Sequence, residues 1–202
     1  MQFILNLLLF LLLLNSSSSA AEWEKVKAKD SITLYEKKEN KFNFSQFKGE
    51  VLLEHPVHRI VNTIMRPLSY PLWLADCVYA KRLFTATLKV HMITQPPWPL
   101  EQRQVLLKVK KKKHDGFTMI TLNSITPQFY FRKSDAIWFE FLNAQFTLVP
   151  ISKNQTVVRL ELAAHPGGSI PQFLIDKTGW MIPYQSLRDL KNYINKIHKK
   201  ES

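Results

Sequence analysis

The sequence predicts an α+β fold in which a curved antiparallel sheet is closed by one long C-terminal helix. Three observations carry this. Apolar and polar residues alternate with period two through much of the stretch from Leu83 to Ala164, as in strands with one buried and one wet face. Two proline-bounded helical segments precede that stretch, between Pro56 and Asp76. After Gly167-Gly168 the period lengthens to that of an amphipathic helix. Strands, short helices, many more strands and a closing helix, in that order, make an α+β domain.

The elements follow in turn. The apolar run Phe3–Leu14, then serines and the small residues Ser19 and Ala21, reads as a signal peptide over residues 1–21, leaving one domain over 22–202. The run is shorter than the roughly 20 residues a membrane-spanning helix needs. "AEWEKVKAKD" predicts a first helix with Trp23 and Val26 on one side. "ITLYEKKE" and "NFSQFKGEVLLE" predict two strands joined by a charged turn at Asn40. Pro56 opens a helix in which Val57, Ile60, Val61 and Ile64 recur at helical spacing. Pro67 and Pro71 break it, and a second short helix reaches Asp76.

From Leu83, Phe84, Ala86, Leu88, Val90 and Met92 alternate with Thr85, Thr87, Lys89 and His91. Further strands are predicted at Val105–Val109, Phe117–Leu122, Ile137–Val149 and Val157–Ala164, with "KKKKHDG" (Lys110 to Gly116) as a hairpin turn. "SITPQFYFRKSDA" has no assigned structure. In the last segment Ser169 and Gln172 form a capping box with Pro171 in the first turn. Leu187, Leu190, Ile194 and Ile197 mark the helical stripe, and Pro183 predicts a kink.

The 202-residue chain carries a net charge of +12 and a single cysteine, Cys77, so no internal disulfide can form. An exported domain of this kind must be held by packing alone. Outside the cytosol such basicity predicts an anionic membrane surface as partner, not nucleic acid, and no nucleic-acid-binding module is legible. His55 and His58 lack a third ligand, so no metal is predicted. His91 sits on the polar side of its strand pattern and reads as exposed, and Cys77 reads as a small buried side chain. Asn43 and Asn154 stand in glycosylation sequons, which matter only in a eukaryotic host. No nucleophile elbow, metalloprotease helix, phosphate loop or dinucleotide fingerprint is present. The expectation is therefore a protein that is not an enzyme and carries no cofactor.

One connection stands out. In "MITQPPWPLEQRQVLLKV" three prolines, a tryptophan and an arginine separate two strand-like runs. Pro97, Trp98 and Pro99 make a stiff loop, because proline fixes φ and lowers the entropy lost on ordering. Trp98 either meets lipid at a cavity mouth or anchors the loop on the core.

On these residues the chain resembles the START family of lipid-transfer domains, in particular its small exported bacterial members. The resemblance rests on Trp23 with "ITLYEK", Trp73 with "ADCVYAKRL", "PPWPLEQRQ", "HPGGSIPQFLID" and "PYQSLRDLKNYI", spread over almost the whole mature chain. It implies a helix-grip fold, with the Pro97–Pro99 loop as the omega loop at the mouth of a cavity opposite the closing helix. The chain departs from the family pattern at three places. Gln104 follows Arg103 where an aspartate is usual, Tyr79 falls near the position of an acidic partner, and Ile137-Trp138 replaces Val-Arg. Arg103 either binds an anionic or hydroxyl headgroup or forms a structural salt bridge with Asp76 or Glu101.

The function expected is a monomeric periplasmic or secreted carrier that holds one hydrophobic molecule, such as a lipid, between sheet and helix. Strand alternation and the closing helix assign Phe84, Leu88, Met92, Leu107, Phe141, Leu160, Trp180, Met181 and Tyr184 to the cavity. Gly167-Gly168 would be the lid hinge. Lys110, Lys111, Lys112 and Lys113 are either a solvated tip or a contact for anionic lipid. The alternatives are an exported cyclase- or hydrolase-like enzyme on the same fold, using a group such as Glu101 or His91, and a secreted protein-binding adaptor.

Overall fold

The computed structural model describes residues 22–39, 44–83, 85–97, 100–126, 135–168, 170 and 172–199. The expectations placed on the signal peptide, Asn40, Asn43, Phe84, Trp98, Pro99, Ser169 and Pro171 lie outside these residues, as does most of "SITPQFYFRKSDA".

Strands β1 (Glu24–Lys29), β2 (Ile32–Glu39) and β3 (Phe44–Leu53) come first. Helix α1 (Val57–Ile64) and a 3-10 turn (Pro67–Leu72) follow, then β4 (Cys77–Leu83), β5 (Lys89–Thr94), β6 (Arg103–His114), β7 (Phe117–Ser124), β8 (Ile137–Trp138), β9 (Phe141–Ser152) and β10 (Gln155–His165). Helices α2 (Gln172–Thr178) and α3 (Met181–His198) close the chain. The ten-stranded sheet has the order β1-β2-β3-β10-β9-β7-β6-β5-β4, with β8 beside β6. Apart from the parallel β6–β8 pair, neighbouring strands run antiparallel.

Several boundaries differ from the sequence expectation, each for a physical reason. The first segment is strand β1, not a helix, because it pairs with β2 across a two-residue turn at Asp30 and Ser31. Both turn residues have positive φ, the signature of a primed hairpin turn. The pattern from Leu83 is not one strand. β4 ends there, the chain turns, and β5 starts at Lys89. Ile137–Val149 is likewise split into β8 and β9. Lys110–Lys113 are not a turn but the end of β6, paired with β7, and the turn itself is Asp115-Gly116 with Gly116 at φ +78°. The closing helix is interrupted at Gly179-Trp180, so Pro183 falls in the first turn of α3, where its missing N–H costs nothing, and causes no kink.

Alternation holds on the sheet. Val90 and Met92 of β5, Val105 and Leu107 of β6, Ile120 and Leu122 of β7, Phe146 and Leu148 of β9, and Val158 and Leu160 of β10 are all buried on one face. Helix α3 lays Tyr184, Leu187, Leu190 and Ile194 on β2, β3 and β10. It comes closest at Gly49 of β3, where an added Cβ would stand 2.7 Å from Leu187 Cδ1 and 3.3 Å from Pro183 Cβ. Trp73 covers a further part of the same face, its ring edge-on to Phe146 at 6.0 Å. Among the described residues no helix is long and apolar enough to cross a membrane.

Candidate functional site

Register places Cys77, Thr94 and Arg103 in one row across β4, β5 and β6, at one end of the covered face. All three are buried, Arg103 to 3 % exposure. Its guanidinium donates through Nη1 to the Glu101 carbonyl, a backbone bond and not the salt bridge with the Glu101 or Asp76 carboxylate that the sequence left open. No described carboxylate lies within 4.0 Å of it, and its Nε has no hydrogen-bond partner among the described residues. A buried cation left unpaired costs several kcal/mol. Burial also raises the Asp76 carboxyl above its ordinary value, and pushes the Cys77 thiol up to about 12, partly offset by its bond to the Tyr79 carbonyl.

The Pro-Gly-Gly segment closes over this end. Gly167 and Gly168 both have φ +70°, and a Cβ on Gly168 would lie 3.5 Å from Arg103 Nη2. A Cβ on Gly167 would lie 2.5 Å from the Trp138 carbonyl oxygen, so this glycine is seated against β8. Only glycine meets both demands, a positive φ and a backbone at that distance.

The structure brings together part of the predicted set. Met92, Leu107 and Leu160 share the covered face with Arg103, and Leu88 packs against the same cluster. Phe141 does not. It is one residue out of phase with the buried Leu142 and faces His165, ring centroids 6.3 Å apart. Met181 is 38 % exposed. Tyr184 is buried in the same cluster and Trp180 packs against it, and both also reach the β1–β2 hairpin. Tyr184 donates to the Asp30 carboxylate, Lys27 Nζ lies 4.1 Å from the Trp180 ring centre, and Lys29 Nζ lies 5.1 Å from that of Tyr184. Pro97 is exposed. Lys110 to Lys113 are exposed but alternate across the two faces of β6, so they do not form one patch.

Sequence reasoning missed the outer-face cluster altogether. His91 is half-buried, sharing a 3.2 Å hydrogen bond with Gln104 Oε1 and facing Tyr79 and Trp138 at ring-centre distances of 5.8 and 6.2 Å. Gln104 Nε2 in turn donates to the Ala136 carbonyl. Three of the residues that depart from the family pattern, Tyr79, Gln104 and Trp138, thus meet on the face opposite Arg103. Their clustering was a signal in the sequence, though only register shows that it points outward. Among the described residues no group of three potential metal ligands occurs, and His55 is instead engaged with Asn195 Oδ1 at 2.7 Å.

No family model matches the chain. It is 22% identical over 179 residues to an uncharacterized protein of Pseudomonas aeruginosa, covering 88% of this chain and 89% of that one. Among solved structures it superposes on the STAR-related lipid transfer protein of Xanthomonas axonopodis with a TM-score of 0.78 at 24% identity, over 86% of this chain and 98% of that one. The human StAR-related lipid transfer protein 5 gives the same TM-score, 0.78, at 12% identity, over 96% and 95% of the two chains. The chain has the START fold. In START terms the sheet is the helix-grip sheet and α3 the gripped helix, as the sequence resemblance implied. Arg103 lies at one end of the covered face, with Cys77 and Thr94 in its row.

Proposed function

We propose that this protein binds a lipid or similar hydrophobic molecule between the inner face of β5–β7 and the α2–α3 end of the closing helices. The polar end of the ligand would meet Arg103. The observation that carries the reading is the buried Arg103 guanidinium, whose Nε has no partner among the described residues, at one end of an apolar face. A carboxylate, phosphate or hydroxyl oxygen would complete its donor set, since the guanidinium fork suits such acceptors. The START fold supports the same reading.

Entry would require the Gly167-Gly168 segment and α2 to move aside. Each sheltered CH2 is worth about 0.8 kcal/mol, so an acyl chain of about sixteen carbons gains on the order of 10 kcal/mol. Escape into water at that cost is slow, and loading and release belong at a membrane. On this reading the protein acts outside the cytosol as a monomer, carries its ligand chemically unchanged, and uses its positive charge to approach anionic lipid.

The test is native mass spectrometry of protein purified from its host, followed by uptake assays with fluorescent fatty acid, phospholipid and sterol. A copurified lipid, or saturable uptake of one probe that Arg103→Met weakens, supports the proposal. A clean apo mass together with no uptake of any probe overturns it.

A further inference from the structure

Away from the face covered by α3, helix α1 and the last turns of α3 enclose a cleft of about 360 Å3. His58, Arg59, Arg66 and His198 stand around it, and Tyr193, Ile194 and Ile197 supply its apolar side. None of the described residues that line it is acidic. α1, the start of the 3-10 turn and α3, which together form it, are joined by side-chain hydrogen bonds. The carbonyls of Arg59 and Arg66 each accept a hydroxyl, from Thr63 Oγ1 at 3.0 Å and Ser69 Oγ at 2.8 Å. His55 ties α3 to the start of α1 through Asn195, and its ring meets that of His198 edge-on at 5.6 Å.

Neither Arg59 nor Arg66 takes part in an ion pair among the described residues. Arg59 Nη1 donates to His198 Nδ1, which employs an imidazole lone pair and leaves the guanidinium charge in place. Helix dipoles explain some of the cations but not all. Lys196 in the last turn of α3 lies where a dipole favours positive charge, whereas Arg59 occupies the first turn of α1, where it disfavours it. Arg59 stands in α1 and Arg66 just past its end, at the start of the 3-10 turn, and both line the cleft.

We infer that this cleft binds a phosphate-bearing small molecule, its phosphate held between Arg59 and Arg66 and its organic part against Tyr193, Ile194 and Ile197. A guanidinium fork suits the oxygens of a phosphate monoester, and two of them line this cleft. The volume is near the lower end of the roughly 300–1,000 Å3 typical of small-molecule sites, enough for a compact ester and too small for an acyl chain. The phosphate could come from a soluble ester or from the headgroup of a lipid whose tails stay in a membrane. The site is separate from the one assigned to lipid carriage and stands without it.

The experiment has two arms. Calorimetric titration with glycerol 3-phosphate reads the soluble source. Flotation with phosphatidylcholine vesicles, with and without phosphatidic acid, reads the headgroup. Both are run on the unsubstituted protein, on Arg66→Gln, on Arg59→Gln, and on Lys153→Gln as a charge-matched control at the β9–β10 turn. Arg66 is exposed and its substitution leaves the core intact, which a thermal melt checks. Saturable binding in either arm that falls at least tenfold in Arg66→Gln and Arg59→Gln, but not in Lys153→Gln, supports the site and names its source. Binding in neither arm, or binding that both arginine variants retain, overturns it.

Discussion

Leu187 sits directly over Gly49: the space a Cβ would fill on that glycine ends 2.7 Å from the leucine's Cδ1. Helix α3 can lie this close to β3 only because the strand has no side chain there. Gly49→Val is therefore expected to lower stability by about 1–3 kcal/mol, the usual cost of overpacking a filled core. Gly49→Ala should cost less, because Leu187 can rotate and Pro183, 3.3 Å from the added Cβ, need shift only slightly. Chemical denaturation of both variants checks the order, and an equal or higher stability for Gly49→Val would contradict this packing.

Arg103 makes a second, opposed pair of expectations. Replacing a buried cation that has no ion pair among the described residues with an apolar residue of similar length removes a desolvation cost, so Arg103→Met should leave the ligand-free protein as stable as before or more so. The same change should weaken uptake of a lipid with an anionic or hydroxyl head by about tenfold, the equivalent of roughly 1.4 kcal/mol. Thermal melts and fluorescent-lipid titration read the two effects separately. A large loss of stability would mean that Arg103 is structural.

Gly116 and Gly167 share a positive φ but differ in surroundings. A Cβ on Gly116 meets nothing within 4 Å, whereas one on Gly167 meets the Trp138 carbonyl at 2.5 Å. Gly116→Ala should cost about 1 kcal/mol from backbone conformation alone. Gly167→Ala should cost more and displace the segment from β8, speeding ligand entry. Stopped-flow uptake with each variant tests this, and equal effects from the two would argue against a seated lid.

The thiol of Cys77 gives a pH dependence with a definite sign. Burial raises it from 9.0 to about 12 in the folded protein. Between those values the folded state keeps a proton that the unfolded state gives up, so stability is full below pH 9 and declines as pH rises toward 12. Cys77→Ala should flatten that part of the stability profile. In the folded protein the thiol should also react slowly with alkylating reagents at pH 8, becoming reactive only on unfolding.

Much of this architecture was legible from residue order alone. Strand alternation placed Met92, Leu107 and Leu160 on one face, and the spacing of Ile60 with Ile64 and of Leu187, Leu190 and Ile194 set the buried sides of α1 and α3. These patterns survive folding because one side of each element must leave water, whichever partner covers it. The resemblance to START domains likewise reached the fold correctly. Other features depended on partners far along the chain. β1 is a strand because β2 offers it an edge, though its lysines and alanine suit a helix. Phe141 rather than Leu142 faces outward because β9 begins after β8 has already ended, a one-residue phase that the apolar run conceals. The cleft of Arg59, Arg66 and His198 exists only because α3 returns to α1, joining residues 139 positions apart. Local pattern reports which side of a segment is apolar, but convergence of distant charges is a property of the closed chain.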